Sequence, residues 1–201
     1  MKTPISINIA AEDALSEAVI RKIVSTSGRR FLIGASFVRG GYGYLKNKIG
    51  GFNNAAKAAP FFVLTDLDQA ECAPILMRSW LTVPQHPNLL FRVAVKEVES
   101  WLMADRNSFS AYLKIDVRRV PHNPDSVDDP KRLLLDLTRS SPRKDIRNDI
   151  VPPQGSQRKF GPNYNARLIA FVFEHWEPER AQSNSKSLER AIRQIKHFRK
   201  I

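Results

Sequence analysis

Three short acidic groups stand out along the chain: Glu12 with Asp13, the pair Asp66 and Asp68 in TDLDQ, and Glu97 with Glu99 in KEVES. Each follows an apolar stretch. Carboxylates are hard oxygen donors, and several converging on one point suit Mg2+ or Mn2+. A cation also keeps like charges ionised at short range. A lone DxD is common in turns and helix caps. One that ends an apolar strand, with a glutamate ending another, is more specific. Glu12, Asp66 and Asp68 are therefore the expected metal ligands and catalytic acids, with Glu97 as an additional ligand. In an extended segment Asp66 and Asp68 point the same way. In one helix, Glu97 and Glu99 lie about 200° apart and cannot both face a site. Trp101, spaced with Val98 and Leu102, reads as core.

The elements that would position these acids follow from periodicity. Strands are expected at Ile5–Ala10, Phe31–Val38, Phe61–Thr65 and Leu89–Val95. FFVLT is nearly all apolar, as in the middle of a parallel sheet buried on both faces. Helices are expected over Glu12–Thr26, Asn53–Ala59, Ala73–Leu81 and Glu97–Ala104. The alternation predicts an α/β, Rossmann-like fold: a mostly parallel sheet of about four strands flanked by helices, over residues 1–115. Functional groups in such sheets gather at the carboxyl ends of the strands, where all three acidic groups fall. Residues 116–201 read as a basic, loop-rich and helical extension packed on this core. Its helices are expected at Pro130–Thr138, Asn165–Trp176 and Ser187–Phe198, and Val151–Asn163 reads as a loop.

A formal net charge of +12 points to polyanionic partners. Residues 1–100 carry 12 basic and 8 acidic side chains, and residues 101–201 carry 20 and 12, so the excess lies in the second half. In the final expected helix, Lys186, Arg190, Arg193, Lys196 and Lys200 share one face, opposite Leu188, Ala191, Ile192 and Ile195. With 42% hydrophobic residues the chain can bury a core, and its one cysteine excludes a disulfide framework. No run approaches the ~20 apolar residues of a membrane span. Acids at positions 12 and 13 come too early for a secretory signal. The expected location is cytoplasmic.

AEDALSEAVIRKIV (Ala11–Val24), FFVLTDLD (Phe61–Asp68), RVAVKEVESWLMAD (Arg92–Asp105) and GPNYN (Gly161–Asn165) carry a resemblance. A glutamate after the first strand and DxD after the third resemble the Toprim fold of topoisomerases, bacterial primases, recombination-mediator proteins and overcoming-lysogenization-defect nucleases. The wider pattern is similar to a bacterial Toprim-like family of unknown function often encoded beside ATPases. The Toprim-like core covers about half the chain. The resemblance implies Glu12 as acid/base or first metal ligand and Asp66 and Asp68 as metal ligands. It also implies Mg2+ or Mn2+ as cofactor and a setting in bacterial defence or DNA repair, with a possible ATPase partner. Toprim proteins usually place glycine directly after the glutamate; here Asp13 stands there.

The expected function is a metal-dependent nucleic-acid phosphodiesterase, most simply a DNA nuclease. The alternatives are a non-catalytic module that binds nucleic acid or an ATPase, and a nucleotide- or sugar-phosphate-processing enzyme. Expected phosphate contacts are Lys131, Arg143, Lys144, Arg147, Arg158 and Lys159. Lys46 and Lys48 join them from the glycine-rich segment Arg39–Gly51, with Tyr42 and Tyr44 available for stacking. That segment otherwise reads as a flexible connector. It lacks the dinucleotide-binding and P-loop glycine patterns. Gly161–Asn165 reads as a turn feeding a helix with an asparagine cap, and Cys72 as a small buried hydrophobe. The scattered histidines offer no zinc spacing.

Overall fold

The computed structural model describes residues 3–38 and 40–201; Arg39, the first residue of the glycine-rich segment, lies outside them. Four strands, β1 (Ile5–Ala11), β2 (Phe31–Phe37), β3 (Phe61–Asp66) and β4 (Leu89–Ala94), pair in parallel in the order β2-β1-β3-β4. Side chains alternate across the sheet. Ile7, Ile9, Phe62, Leu64 and Leu90 enter one apolar layer; Ala10, Phe61, Val63, Leu89 and Phe91 enter the other. Every residue of β3 is buried, which accounts for its continuous apolar run.

The second layer is closed by α2 (Gly41–Ala55) and α3 (Ala73–Trp80). The first is closed by α1 (Ala14–Thr26), α4 (Val98–Ala104) and α5 (Arg106–Leu113), together with the helices of the second half. Those are α6 (Pro130–Arg139), α7 (Lys144–Ile150), α8 (Tyr164–Glu174), α9 (Pro178–Ala181) and α10 (Lys186–His197). One apolar cluster runs from Ile7 through Trp101 and Trp176 to Phe198. The Trp101 indole donates to Ser187 Oγ at 2.7 Å, and the Trp176 indole donates to the Trp101 carbonyl at 3.0 Å. Trp101 is thus core, and it ties α4 to α10 and to the end of α8. Among the described residues no helix is long and apolar enough to cross a membrane.

Three expectations need correction. From Gly41 on, the glycine-rich segment is helical and belongs to α2. Each interior glycine costs about 1 kcal/mol of helix propensity. Leu45, Ile49 and Phe52, at helical spacing and buried, outweigh that cost. Tyr42 meets Trp80 edge-on and accepts its indole hydrogen at 3.3 Å while its ring stays exposed, and Tyr44 packs on the same layer. Residues 144–150, whose charge masks a pair of buried isoleucines, form α7. Cys72 is half-buried at the N-cap of α3.

Candidate functional site

The chain leaves β1 toward β2 on one side, while β3 lies on the other side of β1. The crevice at such a switch point is where parallel sheets collect ligands. Glu12 follows the last residue of β1 there and Asp66 ends β3. Glu12 accepts from the Thr65 hydroxyl and, through the same oxygen, from the Asp66 backbone N–H at 3.0 Å. Asp13, in the usual glycine position, caps α1 by accepting from the Ser16 N–H at 2.8 Å. Asp66 in turn accepts from the Val98 N–H at 3.0 Å, at the N-terminus of α4, where the helix dipole favours a carboxylate.

Asp68 does not share an extended segment with Asp66, because the strand stops at Asp66 and Asp68 adopts a left-handed φ of 48°. Aspartate tolerates that conformation better than most residues. Its N–H and that of Leu67 both donate to the Lys96 carbonyl, at 3.0 and 2.9 Å, which folds the turn back over β4. The Asp68 charge still reaches Glu12, helping to raise its pKa.

Glu97 and Glu99 do face one site. Helix α4 begins at Val98, so Glu97 is an extended N-cap residue, and the rotation expected between two residues of one helix does not apply. Between them sits Lys131, in the first turn of α6. Its ammonium donates to Glu97 at 2.8 Å and lies 3.8 Å from both Asp66 and Glu99. Glu97 also accepts from the Lys131 N–H at 3.2 Å. Lys131, expected as a phosphate contact, is therefore built into the acidic group, with 30% of its side chain exposed.

The wall opposite comes from Gly161–Ala166. Asp13, Glu99, Lys131, Tyr164 and this segment line a cavity of about 370 Å3. Gly161 donates to the Ile150 carbonyl at 2.9 Å, and a Cβ on it would stand 2.4 Å from the Asp149 carbonyl oxygen, so only glycine allows this approach. Asn163 holds the cap position of α8, but its side chain donates to Asp149 at 2.8 Å and does not cap the helix. Tyr164 donates to one Glu99 oxygen at 3.0 Å; the other is buried without a hydrogen-bond partner. Glu99 was expected to turn away from Glu97, and Tyr164 and the place of Lys131 among the acids were not expected. Only Lys131, just inside a helix start, carried a local signal.

Burial dominates the electrostatics. It raises the Glu12 carboxyl, and it raises Asp66 well above the usual range, helped by the Glu99 charge and opposed by Lys131. Burial pushes Glu99 up to about 7. Burial disfavours the Lys131 ammonium too, yet Glu99, Glu97 and Asp66 together hold its pKa above the ordinary lysine range. Burial and the Glu99 charge likewise keep Tyr164 protonated.

A raised acid pKa stabilises the fold below the unfolded value and is a liability above the folded one. Between pH 4.5 and about 7 the unfolded chain releases the Glu99 proton while the folded chain keeps it, so stability falls as pH rises. Glu99→Gln removes this term. Relative to the parent, the variant will be more stable at pH 8 than at pH 4 by on the order of 3 kcal/mol. Urea midpoints at the two pH values measure it; an equal offset at both would show that the Glu99 carboxyl has the same pKa in the folded and unfolded chains.

Hard carboxylate donors, crowded enough to raise one another's pKa, and a buried unpartnered Glu99 oxygen fit the chemistry of a divalent cation. Among the described residues, no three His, Cys, Asp or Glu side chains already stand close enough to hold one. Of the expected phosphate contacts, Arg143 pairs with Asp145 at 3.0 Å, and Arg147 donates to the Ser141 carbonyl at 2.7 Å. Lys46, Lys48, Lys144, Arg158 and Lys159 are exposed. Comparison of the chain with protein-family models, with curated proteins and with solved structures finds no match.

Proposed function

We propose that the chain is a divalent-metal-dependent nucleic-acid phosphodiesterase, most simply a DNA nuclease. The observation that carries this reading is the junction of Glu12 with Asp66 at the switch point of the sheet, 54 residues apart in sequence and joined through one hydrogen bond. Glu12, Asp66 and Asp68 would hold Mg2+ or Mn2+, with Glu97 as a further donor. Such an ion supplies positive charge to the scissile phosphate and the leaving oxygen. Glu12, desolvated and raised in pKa, is suited to take a proton from the attacking water. Lys131 brings a fixed positive charge to the same crevice, and the basic second half holds the backbone without reading bases. The resemblance to Toprim-like proteins adds an ATPase partner in bacterial defence or DNA repair to this reading.

The test is cleavage of plasmid, linear and single-stranded DNA with Mg2+ or Mn2+. Outer partners of metal ligands are worth about 10–100-fold, so Asp66→Asn, as a direct ligand, should lower cleavage by at least about 100-fold with the fold intact. Equal cleavage by the variant would assign the activity to a contaminant, and no cleavage by the parent would remove the nuclease reading. A second reading, a non-catalytic nucleic-acid-binding module, is favoured by Lys131, which already neutralises part of the acidic group. It expects salt-sensitive DNA binding unchanged by Asp66→Asn, and no cutting.

A further inference from the structure

Away from the acids, α10 and the chain end run antiparallel along β4. The Val95 N–H donates to Ser187 Oγ at 3.4 Å at one end, and Asn88 exchanges hydrogen bonds of 2.9 and 3.0 Å with Ile201 at the other. Between them opens a cavity of about 520 Å3, lined by Arg92, Arg190, Arg193 and Arg199 with Gln194 and Phe198. Arg92 projects from the middle of β4, half-buried, and its Nε donates to Gln194. Among the described residues none of the four arginines pairs with a carboxylate. The nearest acid on the helix, Glu189, is held by Lys186 at 2.9 Å. Burial, then the Arg190 and Arg193 charges, lower the Arg92 pKa to about 10.

Arginines gathered without a paired carboxylate are a costly arrangement unless an anion completes it. Guanidinium forks match phosphate oxygens in paired hydrogen bonds, and Arg190 and Arg193 stand about 4.5 Å apart along the helix axis. The cavity is open: Arg190, Arg193 and Arg199 are exposed, and Lys200 extends the basic row. Phe198, 5% exposed, presents no free ring face on which a base could stack. We infer that this arginine groove on β4 and α10 is a docking site for the phosphodiester backbone of nucleic acid, gripping phosphates without reading bases. The choice of nucleic acid rests on the function proposed above; the groove itself does not involve the acidic site.

The experiment measures binding of a fluorescent single-stranded and a double-stranded oligonucleotide of mixed sequence, in EDTA, across a salt series. Each phosphate contact contributes about one unit to the slope of log affinity against log salt. Arg190→Ala/Arg193→Ala should weaken binding about tenfold or more and reduce the slope by about two. Both side chains are exposed, so the fold should survive, as circular dichroism would verify. Lys57→Ala/Arg78→Ala, which removes equal charge from the α2 and α3 face, should bind like the parent. EDTA withholds the cation that cleavage needs, which keeps this result separate from the cleavage test. Unchanged binding by the α10 variant, equal loss in the charge control, or no oligonucleotide binding by the parent would each overturn the assignment. So would tight binding of pyrophosphate without DNA, which would give the groove to a free phosphoanion.

Discussion

Lys131→Met should destabilise the fold by on the order of 3–5 kcal/mol at pH 8, and by much less at pH 4. The lysine ammonium lies within 4 Å of Asp66, Glu97 and Glu99, and Glu99 is 1% exposed. Methionine fills similar space but leaves these carboxylates without their cation, and buried uncompensated charge is among the largest single-residue penalties. The pH dependence follows from the sign of the shifts. Burial has already raised Asp66 and Glu99, and losing the lysine raises both further. At pH 4 they are protonated in the folded chain, so little charge is left exposed to the loss. Urea unfolding at the two pH values measures the difference. A penalty independent of pH would mean that lysine packing, and not its charge, matters. Added Mg2+ should restore part of the stability at pH 8 if the acids accept a cation, in proportion to occupancy.

Trp101→Ala should cost about 3–5 kcal/mol and lower the melting temperature by on the order of 10 °C. The side chain is fully buried, and its removal leaves a void between the sheet-facing cluster and α10. It also removes the shortest hydrogen bond of the Ser187 hydroxyl, which accepts the indole hydrogen. Because α4 carries Glu99 and is preceded by Glu97, loosening it would also blur the acidic site. Trp101→Phe, which keeps most of the volume, should recover more than half of the loss. Thermal melts of the three proteins check this, and equal melting of Trp101→Ala and the parent would show that α10 packs without the tryptophan anchor.

The strands were legible because burial imposes a short-range pattern: FFVLT must be apolar throughout when both faces of β3 are covered. The start of α6, expected at Pro130, was legible for an equally local reason: a residue with a preset φ, which in the fold follows a side-chain cap at Asp129. Helix α2 was not legible. Its glycines speak locally against a helix, and Leu45, Ile49 and Phe52 count only once a sheet exists for them to cover. The same limit hid α7, whose Ile146 and Ile150 face a surface made by distant residues.

For the site, residue types and strand ends were enough to place Glu12 near Asp66, since parallel strands deliver their carboxyl ends to one edge. The sequence by itself therefore determined the layered α/β plan, the acids at that edge and the basic second half. Tertiary structure alone decided that Lys131 stands among the acids, that Tyr164 holds Glu99, and that four arginines of β4 and the chain end share a groove. The physical reason is range. Periodicity and capping act over a few residues and leave their mark locally. Ion pairing and packing join positions 34 to 102 residues apart, and nothing in a short window records the partner.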